Sequence, residues 1–267
     1  MKAIGVFDSG LGGLTVVREL KRQLPAEDII YFGDTAHLPY GTKSAEAITR
    51  FTLNNVLFLL KQKVKLIIVA CNSASSLALS SITRYFSVPI IGVIEPGVKQ
   101  AARITKTKCI GIIGTPATIR SREYEKQIKK IDPSIKVISQ ACPLFVPLVE
   151  AGWLNQSETF TIAKKYLNSL LVKNKKTDTL ILGCTHYPLL KPVFKKILGE
   201  KIRLIDSAEQ VVRQVAGVLH DQGLARKSSD RGARCRFYVS DDPDGFVYQA
   251  RSFLGQRLSK VQSINHV

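Results

Sequence analysis

The chain has 267 residues, a net charge of +18 and a hydrophobic share of 45%. This length and composition are typical of a globular protein with a sizeable core and exclude a disordered chain. No apolar run approaches the roughly 20 residues that a membrane span requires, and the beginning of the chain lacks the long apolar core of a signal peptide. We therefore expect a cytoplasmic protein without a membrane partner.

Short apolar runs rich in β-branched residues alternate along the chain with longer segments of helical periodicity. The predicted strands are AIGVFD (3–8), IIYFGD (29–34), KLIIVA (65–70), PIIGV (89–93), CIGIIG (109–114), KVISQA (136–141) and TLILG (179–183). A long helix is predicted over residues 44–62. Strands that are apolar throughout are typical of parallel sheets covered on both faces, so the alternation predicts an α/β fold.

Two places in the chain are candidate domain limits. A predicted strand gives way to a helix-like stretch near Glu95, Pro96 and Gly97. A helix cap is predicted further on, at Asp206 and Ser207. No low-complexity segment or obvious linker interrupts the chain.

The glycine-rich stretch DSGLGG (8–13) resembles a nucleotide-binding loop at first sight. The dinucleotide fingerprint requires a further glycine at position 15, where the chain has Thr15. The phosphate-binding loop requires glycine followed directly by lysine and then serine or threonine. In GTKS (41–44), Thr42 separates the glycine from the lysine, so this motif is also missing. The sequence therefore predicts a tight turn and no nucleotide cofactor; the backbone amides of such a turn could meet a carboxylate.

The five cysteines, at positions 71, 109, 142, 184 and 235, lack the spacing of a zinc site or a disulfide framework. Cys71 and Cys184 each stand where a predicted strand turns into a probable helix, followed by hydroxyl or amide side chains. A thiolate near a helix N-terminus is stabilised by the backbone dipoles. A lone cysteine in this setting could equally be a small buried hydrophobe, but two equivalent settings favour a catalytic pair.

Three further side chains are candidate acid–base partners for these thiols. Asp8 ends the first predicted strand, and His186 lies two residues after Cys184. Open α/β sheets bind ligands at the carboxyl ends of their strands, which favours both positions. Glu150, in PLVEAG, is a candidate that could also be an ordinary surface carboxylate, and His37 is expected to be structural.

At these residues the sequence closely resembles the glutamate racemase family, within the aspartate/glutamate racemase superfamily. The matching stretches are IGVFDSGLGGLTV (4–16), YFGDTAHLPYG (31–41), IIVACNSAS (67–75), GVIEPG (92–97), IGIIGTPATI (110–119), LVEAG (148–152), LILGCTHYPLL (180–190) and IDSA (205–208). The tail FYVSDDPDGFVYQARSFLG (237–255) also resembles the end of that family. Ser73 is a departure, because the family usually has threonine there; the hydroxyl group is kept.

The resemblance implies two pseudo-symmetric α/β domains with mainly parallel sheets and an active site in the cleft between them. Residues 1–95 plus 207–267 would form the first domain and 96–206 the second. The implied activity is a cofactor-independent interconversion of L-glutamate and D-glutamate, without a metal, which supplies D-glutamate for peptidoglycan synthesis. Two thiols on opposite sides of the substrate would move the α-proton from one face to the other.

The resemblance also implies a role for each candidate residue. Cys71 would act on the D-enantiomer and Cys184 on the L-enantiomer. Asp8 would assist the first thiol and His186 the second, with Glu150 as a weaker candidate on the second side. The residues expected to bind the substrate are Asp8, Ser9, Tyr40, Gly41, Asn72, Ser73, Thr118, Thr185 and His186.

Two other functions remain open from the sequence. An enzyme with the same chemistry on aspartate would differ in pocket depth, which residue spacing does not reveal. The positive charge would suit nucleic acid, but the basic residues are scattered and no nucleic-acid-binding motif is present, so glutamate is the expected partner. A homodimer is compatible with the sequence.

Overall fold

The computed structural model describes residues 2–226, 232–258 and 260–264. Its strands are β1 (Ile4–Asp8), β2 (Ile29–Gly33), β3 (Leu66–Val69), β4 (Ile90–Gly92), β5 (Cys109–Gly114), β6 (Lys136–Ala141), β7 (Thr179–Gly183), β8 (Arg203–Asp206), β9 (Cys235–Val239) and β10 (Gln262–Ser263). Its α-helices are α1 (Leu14–Gln23), α2 (Ala45–Lys61), α3 (Asn72–Leu77), α4 (Leu79–Ile82), α5 (Ile94–Ile104), α6 (Pro116–Ser121), α7 (Glu123–Ile131), α8 (Phe145–Glu150), α9 (Ser157–Lys173), α10 (Lys191–Leu198), α11 (Ser207–Asp221) and α12 (Pro243–Leu254). Short 3₁₀ turns cover Thr35–His37, Tyr40–Thr42, Thr83–Tyr85 and Tyr187–Leu190.

The strands form two parallel sheets. The larger sheet has the strand order β10-β9-β2-β1-β3-β4, and the smaller one has the order β6-β5-β7-β8. Strands β1, β2, β3, β5 and β7 are buried along their whole length, as expected for sheets covered by helices on both faces. The predicted α/β fold with mainly parallel sheets is confirmed.

The two sheets repeat one strand pattern. The order β2-β1-β3-β4 in the larger sheet corresponds to β6-β5-β7-β8 in the smaller sheet. Strands β3 and β7 are therefore equivalent, each lying beside the first strand of its sheet. Cys71 follows β3 after one residue and Cys184 follows β7 directly, so the two cysteines occupy equivalent corners of the two sheets.

Helix α11 joins the two sheets. It packs against α1, which follows the first strand of the larger sheet, and against α5, which precedes the smaller sheet. One buried apolar cluster includes Val6 of β1, Leu182 of β7 and Val212 of α11, so both sheets share a core. Among the described residues, no helix is long and apolar enough to cross a membrane.

The predicted domain limits fall at the beginnings of two helices. Helix α5 begins at Ile94, and α11 begins at Ser207 with Asp206 as its cap; the Asp206 carboxylate accepts a hydrogen bond from Ala208 N at 2.9 Å. The cap that the sequence predicts is thus present. The domain limits themselves stay a prediction, and within the range 207–267 the residues 227–231, 259 and 265–267 lie outside the described part.

Candidate active site

A cavity of about 340 Å³ lies at the carboxyl ends of strands from both sheets. Of the residues predicted for the site, its walls contain Ser9, Tyr40, Gly41, Cys71, Asn72, Ser73, Glu150, Cys184, Thr185 and His186. Asp8 and Thr118 do not line the cavity; both are buried and contact residues that do. The fold therefore brings both cysteine corners to a single space.

The first corner holds Cys71 at the cap position of α3, between the end of β3 and Asn72. The Cys71 thiol donates to Ser9 Oγ at 3.7 Å. Burial raises the pKa of Cys71 to about 12, and the charge of Asp8 acts in the same direction. The backbone N–H of Ala74 lowers this pKa, so the stabilisation expected from a helix start is present but is outweighed by burial.

Asp8 connects the two corners from beneath the cavity. Its carboxylate accepts a hydrogen bond from Gly10 N at 3.1 Å and another from Thr185 Oγ1, on the second corner, at 3.5 Å. Burial raises the pKa of Asp8 above its ordinary value, against the opposing effect of His186 and of the N–H groups of Gly13 and Gly10. A carboxylate of the larger sheet is thus in contact with the smaller one.

The second corner contains a cysteine, a histidine and a glutamate in hydrogen-bond contact. His186 Nδ1 lies 3.8 Å from Cys184 Sγ, and His186 Nε2 lies 2.9 Å from Glu150 Oε1. Burial alone would lower the pKa of His186, but the hydrogen bonds and charges of Cys184 and Glu150 raise it to about 10. The raised pKa favours the protonated form of His186, which places a positive charge beside Cys184 Sγ.

A cluster of hydroxyl groups joins the two sheets beside Cys71. Ser73 Oγ lies 3.0 Å from Thr115 Oγ1 and 3.3 Å from Thr118 Oγ1. Thr115 also caps α6 by accepting from Thr118 N at 3.3 Å. Thr118 therefore holds Ser73 and Thr115 in place from behind the cavity wall.

The loop after β2 supplies another wall. Tyr40 donates its phenolic hydrogen to Asp34 and accepts from Asn55 Nδ2 at 3.1 Å. Burial raises the pKa of Tyr40, so the phenol stays protonated. His37 Nδ1 lies 2.8 Å from Asp34 Oδ1, and its ring stacks on Phe51 at 4.1 Å, which agrees with the structural role expected of His37.

Several wall residues were not among the predicted site residues. They are Gly10, Leu38, Pro39, Thr42, Thr115, Pro116, Cys142, Pro143, Val146 and Pro147. Two of them had a usable signal, because Thr115 follows β5 directly and Cys142 follows β6 directly, just as Cys184 follows β7. The prolines and apolar residues had none, since only the tertiary arrangement brings them to the cavity.

The described residues form neither a disulfide bond nor a cluster suited to a metal ion. All five cysteines are free, including Cys71 and Cys184 on the cavity wall. Within residues 2–226, 232–258 and 260–264, no group of three or more His, Cys, Asp or Glu side chains is arranged to hold a metal ion.

Comparison with known proteins identifies the family to which this sequence is similar. Residues 4–215 match the Asp/Glu/Hydantoin racemase family. The chain belongs to that family. The sequence is 48% identical to that of the glutamate racemase of Geobacter metallireducens. The match covers 99% of this chain and 97% of that protein.

Solved structures of glutamate racemases resemble this family member over nearly the whole chain. The structure from Bacillus anthracis gives a TM-score of 0.93 at 39% identity, covering 98% of this chain and 97% of that one. The structure from Francisella tularensis, in complex with D-glutamate, gives a TM-score of 0.91 at 40% identity with the same coverage of 98% and 97%. Both cysteine corners lie within the matched residues of the racemase family.

Proposed function

We propose that the chain is a glutamate racemase, which interconverts L-glutamate and D-glutamate without a cofactor and supplies D-glutamate for peptidoglycan synthesis. The observation that carries this proposal is the pair of equivalent corners, with Cys71 and Cys184 on the wall of one cavity. The relatives named glutamate racemase, one of them in complex with D-glutamate, support glutamate as the substrate.

Racemisation needs one base on each face of the α-carbon. A single base tends to return the proton to the face from which it came. In the L-to-D direction, the Cys184 thiolate takes the α-proton and becomes a thiol, while the Cys71 thiol gives its proton to the opposite face and becomes a thiolate. The D-to-L direction reverses both transfers, so Cys71 acts on D-glutamate and Cys184 on L-glutamate.

The surroundings of each thiol suit its task. On the second side, the His186 imidazolium stabilises a thiolate on Cys184, and Glu150 keeps His186 charged. On the first side, burial and Asp8 favour the neutral Cys71 thiol, which is the proton donor for L-to-D turnover. The α-ammonium group of a bound amino acid near Cys71 would oppose Asp8 and ease the formation of the thiolate for the reverse direction.

The intermediate carries extra negative charge on its α-carboxylate, which fixed hydrogen-bond donors must stabilise. The side chains of Asn72 and Ser73 line the cavity and supply such donors; Ser9, Tyr40, Gly41 and Thr185 complete the binding wall. Thr118 and Asp8 contribute from behind this wall. The apolar side chains of Val146 and of the prolines that line the cavity exclude water and strengthen these contacts.

The test is a cofactor-free assay with L-glutamate and L-aspartate in parallel, in heavy water. Circular dichroism follows the loss of optical activity, and mass spectrometry follows deuterium uptake at Cα. The proposal predicts both signals for glutamate alone. Activity on aspartate alone would contradict the substrate, and inactivity on both with reduced thiols would contradict the function.

We infer a cytoplasmic location, and the free state of all five thiols supports a reducing compartment. The homodimer and the lack of nucleic-acid binding stay predictions of the sequence. Size-exclusion chromatography with light scattering checks the first, and titration of duplex DNA at physiological salt checks the second.

A further inference from the structure

A chain of buried hydrogen bonds connects the two cysteine corners behind the cavity. Asn72 Nδ2 donates to the Tyr124 hydroxyl oxygen at 2.8 Å, and the Tyr124 hydroxyl lies 3.4 Å from Ser207 Oγ. Ser207 Oγ in turn donates to the carbonyl oxygen of Leu182 at 3.2 Å. Asn72 follows Cys71 directly, and Leu182 precedes Cys184 by two residues on β7. The series of hydrogen bonds therefore begins at one cysteine corner and ends at the other.

The direction of these hydrogen bonds follows from the acceptor at the last of them, the carbonyl oxygen of Leu182. The carbonyl oxygen of Leu182 can only accept, so Ser207 donates its hydroxyl hydrogen to it and is left to accept from Tyr124. Tyr124, having given its hydrogen to Ser207, accepts from Asn72, which must therefore present its amide nitrogen. Burial raises the pKa of Tyr124 to about 12, and the phenol keeps its proton at neutral pH.

The Asn72 side chain has one polar atom without a partner. Asn72 is 2% exposed and lines the cavity, yet its Oδ1 has no hydrogen-bond partner among the described residues. A buried carbonyl oxygen without a partner costs free energy, so another hydrogen bond must hold the amide in this orientation. With one N–H held by Tyr124, the second N–H of Asn72 is left for the carboxylate group of a substrate in the cavity.

We propose that Tyr124 is a positioning residue, which fixes the orientation of the Asn72 amide through the hydrogen bonds to Ser207 and Leu182. The proposal rests on the proposed racemase function, because it assigns Asn72 to substrate binding. Tyr124 itself does not line the cavity. Its ring lies so close to Gly183 that a Cβ there would be 3.3 Å from Tyr124 Cε2, so the same side chain also supports the strand end before Cys184.

The kinetic test is Tyr124→Phe, which keeps the ring and removes the hydroxyl group. Asn72 can then adopt a second orientation, and only the fraction in the correct one binds substrate. We expect KM for both enantiomers to rise about fivefold, the equivalent of one ordinary net hydrogen bond, while kcat stays within about twofold. Asn72→Ala removes the amide itself and should lower kcat as well.

Ser207→Ala should reproduce the rise in KM, and the double variant should be no worse than Tyr124→Phe, because Ser207 acts through Tyr124. Tyr238→Phe is the matched control, since Tyr238 is a buried tyrosine of β9 outside the cavity wall. An unchanged KM in Tyr124→Phe, a loss of kcat equal to that in Asn72→Ala, or additive effects of the two hydroxyl deletions would overturn the proposal.

A second measurement does not depend on catalysis. In ¹⁵N-labelled protein, the side-chain amide signals of Asn72 are those that disappear in Asn72→Ala. Their hydrogens should exchange slowly in the wild type and in Tyr238→Phe, and much faster in Tyr124→Phe. Equal exchange in wild type and Tyr124→Phe would overturn the proposal even if the chain failed to racemise glutamate; that failure alone would contradict the function instead.

Discussion

Gly12 and Thr185 are so close that a Cβ on Gly12 would lie 2.1 Å from Thr185 Oγ1. The same Cβ would lie 2.5 Å from His186 Nδ1. The turn after β1 therefore touches the second cysteine corner, and the missing side chain allows the two sheets to meet around the cavity. The sequence predicts only a tight turn at DSGLGG, because the residues that approach it come from a distant part of the chain.

Replacing Gly12 with alanine should damage the site without unfolding the protein. The added methyl group must displace Thr185 and His186, and misplacing catalytic groups by about 1 Å costs about 100-fold in rate. We expect kcat/KM for glutamate to fall by about that factor. Gly217→Ala is the control, because its Cβ would meet no atom outside the adjacent backbone of α11 within 4 Å. Wild-type activity in Gly12→Ala would show that the contact is irrelevant.

Glu150→Gln should lower the pKa of His186. Glu150 and Cys184 raise that pKa to about 10, so removal of the Glu150 charge makes His186 lose its proton at a lower pH. NMR titration of labelled histidines should show this shift. The pH above which the rate of L-to-D conversion falls should move down as well, since His186 then loses the charge that stabilises the Cys184 thiolate at a lower pH.

The exposed Glu158 provides a control for that substitution, because it lies on α9 outside the cavity wall. Glu158→Gln should leave both the His186 titration and the rate unchanged. A His186 titration that is the same in Glu150→Gln and in the wild type would contradict the assignment of Glu150.

A buried ion pair far from the cavity should affect stability alone. Lys65 Nζ donates to Glu27 Oε2 at 2.6 Å and to the carbonyl oxygen of Leu224 at 2.6 Å, and both charged side chains are buried. Lys65→Met leaves the Glu27 carboxylate buried without its cation and should lower the free energy of unfolding by about 3–5 kcal/mol. Urea denaturation checks this value, with the exposed Lys61→Met as control; equal stability of the two variants would refute it.

Most of the strands that the sequence predicts are buried throughout or nearly so; the exception is β6, an edge strand with one buried residue. Three strands escaped prediction: β8 is half-buried at its start, β9 begins with less buried residues, and β10 has two exposed residues at the sheet edge. Continuous apolar runs are typical of strands covered on both faces, and these three strands lack such a run.

The site residues that could be predicted from the sequence are reactive side chains at or just after the end of a strand. Cys71, Cys184 and Asp8 follow that rule, and His186 is close to Cys184 in the chain. The partnership of Glu150 with His186 depends on how α8 packs, and the link from Asn72 to Tyr124 depends on the approach of the two sheets. Contacts of that kind leave no spacing pattern in the sequence.

The measurement that tests the central claim most directly is solvent deuterium exchange in Cys71→Ser and Cys184→Ser. Each variant should lose racemisation almost completely, because one face of the substrate then lacks a thiol. Cys184→Ser should still exchange the α-proton of D-glutamate more readily than that of L-glutamate, and Cys71→Ser should show the reverse preference. Racemisation near the wild-type rate in either variant would contradict the two-thiol mechanism.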